Sequence, residues 1–150
     1  MDMINDVLKA VTGTVSGLWP QPAEKPERPD GKLRPCSGTP NCVCSEYSGS
    51  PEWIEPIAFK HTKPGDAWAL LKQVIDDMDG EVQSDQEEYL WSTFTVPLFG
   101  FTDDVEFRLD KTAGVIQVRS ASRLGFSDLG VNRGRVEEIR RRFTEKSNEQ

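Results

Sequence analysis

The run Thr102 to Ser120, TDDVEFRLDKTAGVIQVRS, decides the fold. Its first half alternates: Val105, Phe107 and Leu109 fall on one side of an extended chain, and Asp104, Glu106 and Arg108 on the other. Period two marks a strand, because successive side chains of an extended backbone point to opposite faces. Asp110-Lys-Thr-Ala-Gly114 interrupts the pattern with turn residues. Val115 to Ser120 then resumes it, with Val115, Gln117 and Arg119 facing away from Ile116, Val118 and Ser120. Two strands joined by so short a connection pair antiparallel.

Upstream, Tyr89, Trp91, Thr93 and Thr95 alternate with Leu90, Phe94 and Val96, which predicts a strand from about Glu88 to Val96. A short strand, Glu81 to Ser84, precedes it, and Pro97-Leu-Phe-Gly100 makes a bend. Lys63 to Asp79 reads as a helix: Trp68, Leu71, Ile75 and Met78 form one stripe with Leu70 and Val74 beside it. Pro64 suits its first turn and Gly80 its end. Before it, Leu33 to Pro56 is turn-rich and reads as irregular, with Ile54 to Phe59 as a candidate first strand. Downstream, Ser122 to Asp128 is a loop and Leu129 to Phe143 a second helix with Val136, Ile139 and Phe143 on its apolar stripe. Ser127 or Asp128 is placed to accept its unpaired N–H groups. The polar tail, residues 145–150, is expected to fray. The order is β-α-β-β-β-β-α, an α+β fold with an antiparallel sheet of four to five strands packed with two helices.

Ahead of this domain, residues 33–144, stand two segments of different character. In residues 1–19, Ile4, Val7, Leu8, Val11, Val15 and Leu18 follow helical spacing, so this amphipathic stretch can lie on a membrane surface or dock on a protein partner. Gly13 and Gly17 each cost about 1 kcal/mol in a helix, so it is weak alone. Residues 20–32 are a Pro-rich linker, and six of the ten prolines fall between Pro20 and Pro40. No secretory signal is evident, because Asp2 and Asp6 precede the first lysine, Lys9. The expected location is cytoplasmic, membrane-peripheral through residues 1–19, and a reducing compartment disfavours stable disulfides.

Charge is unevenly spread over the net −7. Pro51 to Gly114 carries 14 acidic against 5 basic residues, a net of −9, whereas Val115 to Gln150 carries 8 basic against 5 acidic, a net of +3. The acidic block argues against nucleic-acid binding, which needs a basic face. The basic end can hold a small anion.

Cys36-Ser-Gly-Thr-Pro-Asn-Cys42-Val-Cys44-Ser45, Ile54-Glu-Pro-Ile57, Phe101-Thr-Asp-Asp104, Arg119-Ser-Ala-Ser-Arg123-Leu-Gly125 and Ser127-Asp-Leu-Gly-Val-Asn-Arg133-Gly-Arg135 together resemble the domain-of-unknown-function family 1499. The resemblance covers about Leu33 to Phe143 and implies no established activity. Members of that family often carry Ser where Cys44 stands, which sets the third thiol apart from a family-wide role.

Two constellations are candidate sites. Arg119, Ser122, Arg123, Ser127, Asp128, Asn132 and Arg133 gather at one strand-to-helix junction, with Asp103 and Asp104 at the start of a neighbouring strand. A helix start surrounded by guanidinium groups can bind a carboxylate or phosphate. The same residues can instead satisfy one another, with the aspartates pairing the arginines and no ligand needed. Cys36, Cys42, Cys44 and the single histidine, His61, form the second constellation. A Cys36–Cys42 disulfide, a thiophilic metal and free or reversibly oxidised thiols are all open to it. No phosphate-binding glycine loop, Gly-x-Ser-x-Gly or His-Glu-x-x-His motif occurs. The expectation is a binding or accessory domain for a small anionic or amphipathic ligand, without catalysis and without a cofactor. A thiol-based enzyme and a membrane-peripheral scaffold are the alternatives.

Overall fold

The computed structural model of the protein describes residues 26–38, 40–96, 100–123 and 130–149. The N-terminal segment, residues 1–19, and the capping candidates Ser127 and Asp128 lie outside the described residues. A six-stranded antiparallel sheet is built from β1 (Cys42–Cys44), β2 (Ile57–Ala58), β3 (Glu81–Gln86), β4 (Tyr89–Thr95), β5 (Thr102–Asp110) and β6 (Val115–Ser122). The long strands run β1-β6-β5-β4-β3 across the sheet, and β2 also pairs with β6. Helix α1 (Pro64–Asp77) and helix α2 (Val131–Asn148) pack against each other and on one face. The fold is α+β.

The hairpin of β5 and β6 is in register from Asp103 opposite Ser122 to Asp110 opposite Val115. Gly114 closes it at φ 68°, and its N–H donates to the Asp110 carbonyl at 3.0 Å. Val105, Phe107, Leu109, Ile116 and Val118 pack with Leu90 and Phe94 under the helices. Helix α1 contributes Trp68, Leu70, Leu71, Val74 and Ile75 to this core, and α2 contributes Val136, Ile139 and Phe143.

Two expectations need correction. The sheet has six strands rather than four to five, because the segment read as irregular contains β1. Cys42–Cys44 pairs with Ala121–Arg119, and Ile57–Ala58 pairs with Ile116–Val115, so β1 and β2 lie end to end along β6. Ser45 bridges the gap: its N–H donates to the Val118 carbonyl at 2.9 Å and its Oγ accepts from the Val118 N–H at 2.7 Å. Strands of three and two residues are too short to show a period. The second correction concerns the tail. Helix α2 continues to Asn148, because Thr62 and Ser147 share a hydrogen bond of 2.9 Å and Lys146 pairs with Asp77 at 3.1 Å, tying the last turns to α1.

The opposite face of the sheet is covered as well. Leu33, Cys44 and Tyr89 are fully buried there, with Cys36, Tyr47 and Trp91 packed around them. The strap that covers this face starts inside the Pro-rich linker. Arg28 stacks over the Tyr89 ring at 4.2 Å, and a 3-10 turn at Pro29–Gly31 leads to Leu33. The Leu33 carbonyl accepts from Tyr47 Oη at 2.6 Å, and its N–H donates to Glu46 at 2.9 Å. Among the described residues, no helix is long and apolar enough to cross a membrane.

Candidate functional site

Strand alternation splits the arginine array. Even-numbered residues at the end of β6, Ser120 and Ser122, point toward the helices, while Arg119 and Ala121 point to the strap side. The sequence brings the array into one stretch, and the sheet divides it into three environments.

On the helix side the centre is Asn132, fully buried in the first turn of α2. Its Nδ2 donates to the Asn41 carbonyl at 3.0 Å and to Ser122 Oγ at 3.0 Å, and its Oδ1 accepts from Ser120 Oγ at 2.5 Å. Arg135 reaches the same Oδ1 at 2.8 Å and pairs with Asp103 at 2.8 Å. Its guanidinium also lies over the Phe94 ring at 5.2 Å. Asp103 thus pairs with Arg135, which is not one of the three arginines expected for it. This network locks β1, β6 and α2 together. A buried amide needs all of its partners, and these elements supply them.

On the strap side Asp104 forms a two-pronged pair with Arg123, Nε and Nη2 each at 3.0 Å, and also accepts from Trp91 Nε1 at 2.9 Å. Arg119 pairs with Glu106 at 3.4 Å, and Glu106 accepts from Tyr89 Oη at 2.8 Å. Glu106 is 0% exposed and Arg119 5%. Burial pushes the Glu106 carboxyl up, against the opposing pull of Arg119, and pushes the Arg119 guanidinium down, against the pull of Glu106. Burial and Glu106 together hold the Tyr89 phenol well above its ordinary value. Glu46 receives Arg108 through two bonds of 2.7 Å and helps anchor Leu33.

Glu106, Tyr89, Arg135 and Asn41 are the residues that sequence reasoning missed. Glu106 sits on the polar side of an alternating strand, which reads as solvent-facing. The available signal was Tyr89 and Trp91, which share that side through the β4–β5 register. Two aromatics on a polar face point to a second covering layer. Arg135 lies three residues after Asn132, within reach on one helix face.

Arg133 occupies the third environment. It is exposed, and its two terminal nitrogens donate to the Trp53 carbonyl at 3.3 Å each. It has no carboxylate partner among the described residues. An open cleft of about 520 Å³ lies beside it, lined by Gly38, Pro40, Val43, Pro51 and Glu52 among others. Cys42, which also lines this cleft, is joined to Cys36 by a disulfide. Cys44 is a free, buried thiol, and burial pushes it up, so it stays protonated at neutral pH. His61 is exposed in the turn before α1. Among the described residues, no group of three or more His, Cys, Asp or Glu side chains is placed to hold a metal ion.

No curated protein and no solved structure matches the chain. One family model, described as "Protein of unknown function (DUF1499)", matches residues 32–143. That span starts at the strap and ends at Phe143, the last core residue of α2, so it takes in both covered faces of the sheet. With most of its length matched, the chain belongs to the DUF1499 family.

Proposed function

We propose that this domain is a non-enzymatic binding module for a small anionic or amphipathic ligand, held in the cleft between residues 38–43 and the start of α2. The observation that carries this reading is that, among the described residues, Arg133 has no carboxylate partner. Arg119, Arg123 and Arg135 are each neutralised by a carboxylate, at 3.4, 3.0 and 2.8 Å. Among the described residues, Arg133 meets only the Trp53 main-chain carbonyl. Its guanidinium keeps donors for a carboxylate or phosphate, which it can grip in a planar fork. Pro40, Val43 and Pro51 give the cleft an apolar wall suited to a short hydrocarbon. The thiol chemistry of an enzyme finds less support, since two cysteines are bonded to each other and the third is buried and protonated.

Thermal shift and isothermal titration with inorganic phosphate and with octanoate test the reading. Wild type is expected to be stabilised by at least one of them, and Arg133→Ala to lose that response. Because Arg133 is exposed, its removal should change the ligand-free stability by only about 0.5 kcal/mol. If neither anion shifts the wild type, the reading fails.

A further inference from the structure

We infer that the outer edge of β3 is a docking site for an extended basic peptide, which joins the sheet as an additional strand and lays its apolar side chains against α1. The site lies at the opposite edge of the sheet from β1 and the Arg133 cleft, so it does not depend on the ligand reading of that cleft.

The two edges of the sheet are treated differently. Outside β1, the Cys44 N–H donates to the Glu52 carbonyl at 3.0 Å, and the Cys44 carbonyl accepts from the Ile54 N–H at 3.3 Å, so residues 52–54 cover that edge. β3 pairs with β4 on its inner side and, among the described residues, with no strand on its outer side. An edge strand leaves a row of N–H and C=O groups facing outward, ready to pair with another chain. Beside this edge runs a groove of about 490 Å³, with Lys72, Ile75 and Asp76 of α1 on one side and residues 80–83 on the other. Asp85 ties α1 to the edge, accepting from Trp68 Nε1 at 3.0 Å and from Lys72 Nζ at 2.9 Å. Val82 stands opposite Ser92, on the helix side of the sheet. It is 43% exposed, the most of any large hydrophobic residue described. A strand added here turns every second side chain toward α1 and covers Val82.

Charge around the groove selects the partner. Lys72 is already paired with Asp85, whereas Asp76 and Glu81 are exposed and, among the described residues, have no ion-pair partner. The whole edge belongs to the acidic block from Pro51 to Gly114. Acidic side chains guard an edge against a second copy of the same chain, because pairing β3 with β3 sets like charges beside each other. Residues 1–19 are no better matched, with Asp2 and Asp6 against a single Lys9. A chain that alternates lysine or arginine with β-branched residues meets both demands. Its main chain bonds to β3, its apolar side chains cover Val82 beside Ile75, and its cations come within reach of Asp76 and Glu81.

The experiment uses the full chain and three fluorescein-labelled hexapeptides: alternating Lys-Val, alternating Glu-Val, and the Lys-Val peptide with its backbone amides N-methylated. The last keeps the charge and loses the donors of a ladder. Fluorescence anisotropy reads affinity, and amide hydrogen exchange reads β3. The Lys-Val peptide is expected to bind at micromolar concentration and to slow exchange within residues 81–86. The other two peptides should bind about tenfold more weakly or not at all. Asp76→Lys/Glu81→Lys and Val82→Lys, all at exposed positions, should weaken Lys-Val binding about tenfold with the far-UV circular dichroism unchanged. Added salt should weaken it as well. Absence of Lys-Val binding overturns the inference. Equal binding of the N-methylated peptide also overturns it, since charge alone then holds the chain, and so does binding that leaves exchange in β3 unchanged. If the peptide fails while the protein dimerises in sedimentation and Val82→Lys breaks the dimer, the edge belongs to a second copy and the basic-peptide assignment falls. Each of these results leaves the reading of the Arg133 cleft standing.

Discussion

At the scale of single residues, Glu106 and Arg119 carry the sharpest energetic consequence. They meet at 3.4 Å on the strap side, and Arg119 Nε has no hydrogen-bond partner among the described residues. Taking two charges out of water costs more than their attraction returns, which is why burial dominates both titrations. Arg119→Met would leave Glu106 buried without its cation. At neutral pH that should cost about 3–5 kcal/mol in urea unfolding. The pH dependence follows from the raised carboxyl. A group with a raised folded pKa contributes stability that is present below its unfolded value and lost as pH rises through the folded one. Removing Arg119 raises Glu106 further, so the penalty of Arg119→Met should be small in acid and grow as pH rises. A penalty that instead grew in acid would mean that Glu106 is ionised and well solvated in the folded protein.

At the scale of elements, the end of α1 separates two roles that sequence reading merges. Gly80 looks like a stop signal because glycine suits the left-handed turn after a helix. In the structure Asp79 takes the left-handed conformation, at φ 63°, and Gly80 donates back to the Ile75 carbonyl at 2.9 Å. Gly80 is needed for space: a Cβ there would meet Phe94 Cζ at 2.5 Å and Ile75 Cγ2 at 2.9 Å. Gly80→Ala should therefore destabilise by about 1–3 kcal/mol through overpacking where α1 meets β4, read as a lower urea midpoint. A neutral result would mean that the Phe94 ring moves aside without cost. The helices and the four long strands were legible in the sequence, because periods of 3.6 and 2 persist over many residues in α1, β4, β5 and β6. β1 and β2 were not, because strands of three and two residues owe their existence to the edge of β6 that they cover.

At the scale of the whole molecule, the sheet is a middle layer with helices on one side and a strap on the other. Leu33 is the plug of the strap, 0% exposed beneath Tyr47 and beside Tyr89. Leu33→Ala should cost about 2–5 kcal/mol, comparable with a truncation in the main core. A cost near zero, measured by urea unfolding, would show that the strap contributes nothing to the stability of the sheet. Composition had marked the linker as an extended tether, yet within it Arg28 stacks over Tyr89 of the sheet, and Leu33 directly after it is buried.

The sequence by itself determined the α+β class, the antiparallel hairpins and the place of the polar array, because each depends on local period and turn chemistry. Only the tertiary structure decided which arginine meets which carboxylate. Arg119 and Arg123 go to the strap side with Glu106 and Asp104, and Asn132 and Arg135 go to the helix side with Asp103. Arg133 is left beside an open cleft. The physical reason is that pairing across a sheet depends on register and on what covers each face. Both are set by residues far apart in the chain, such as Asn41 with Asn132 and Leu33 with Tyr47.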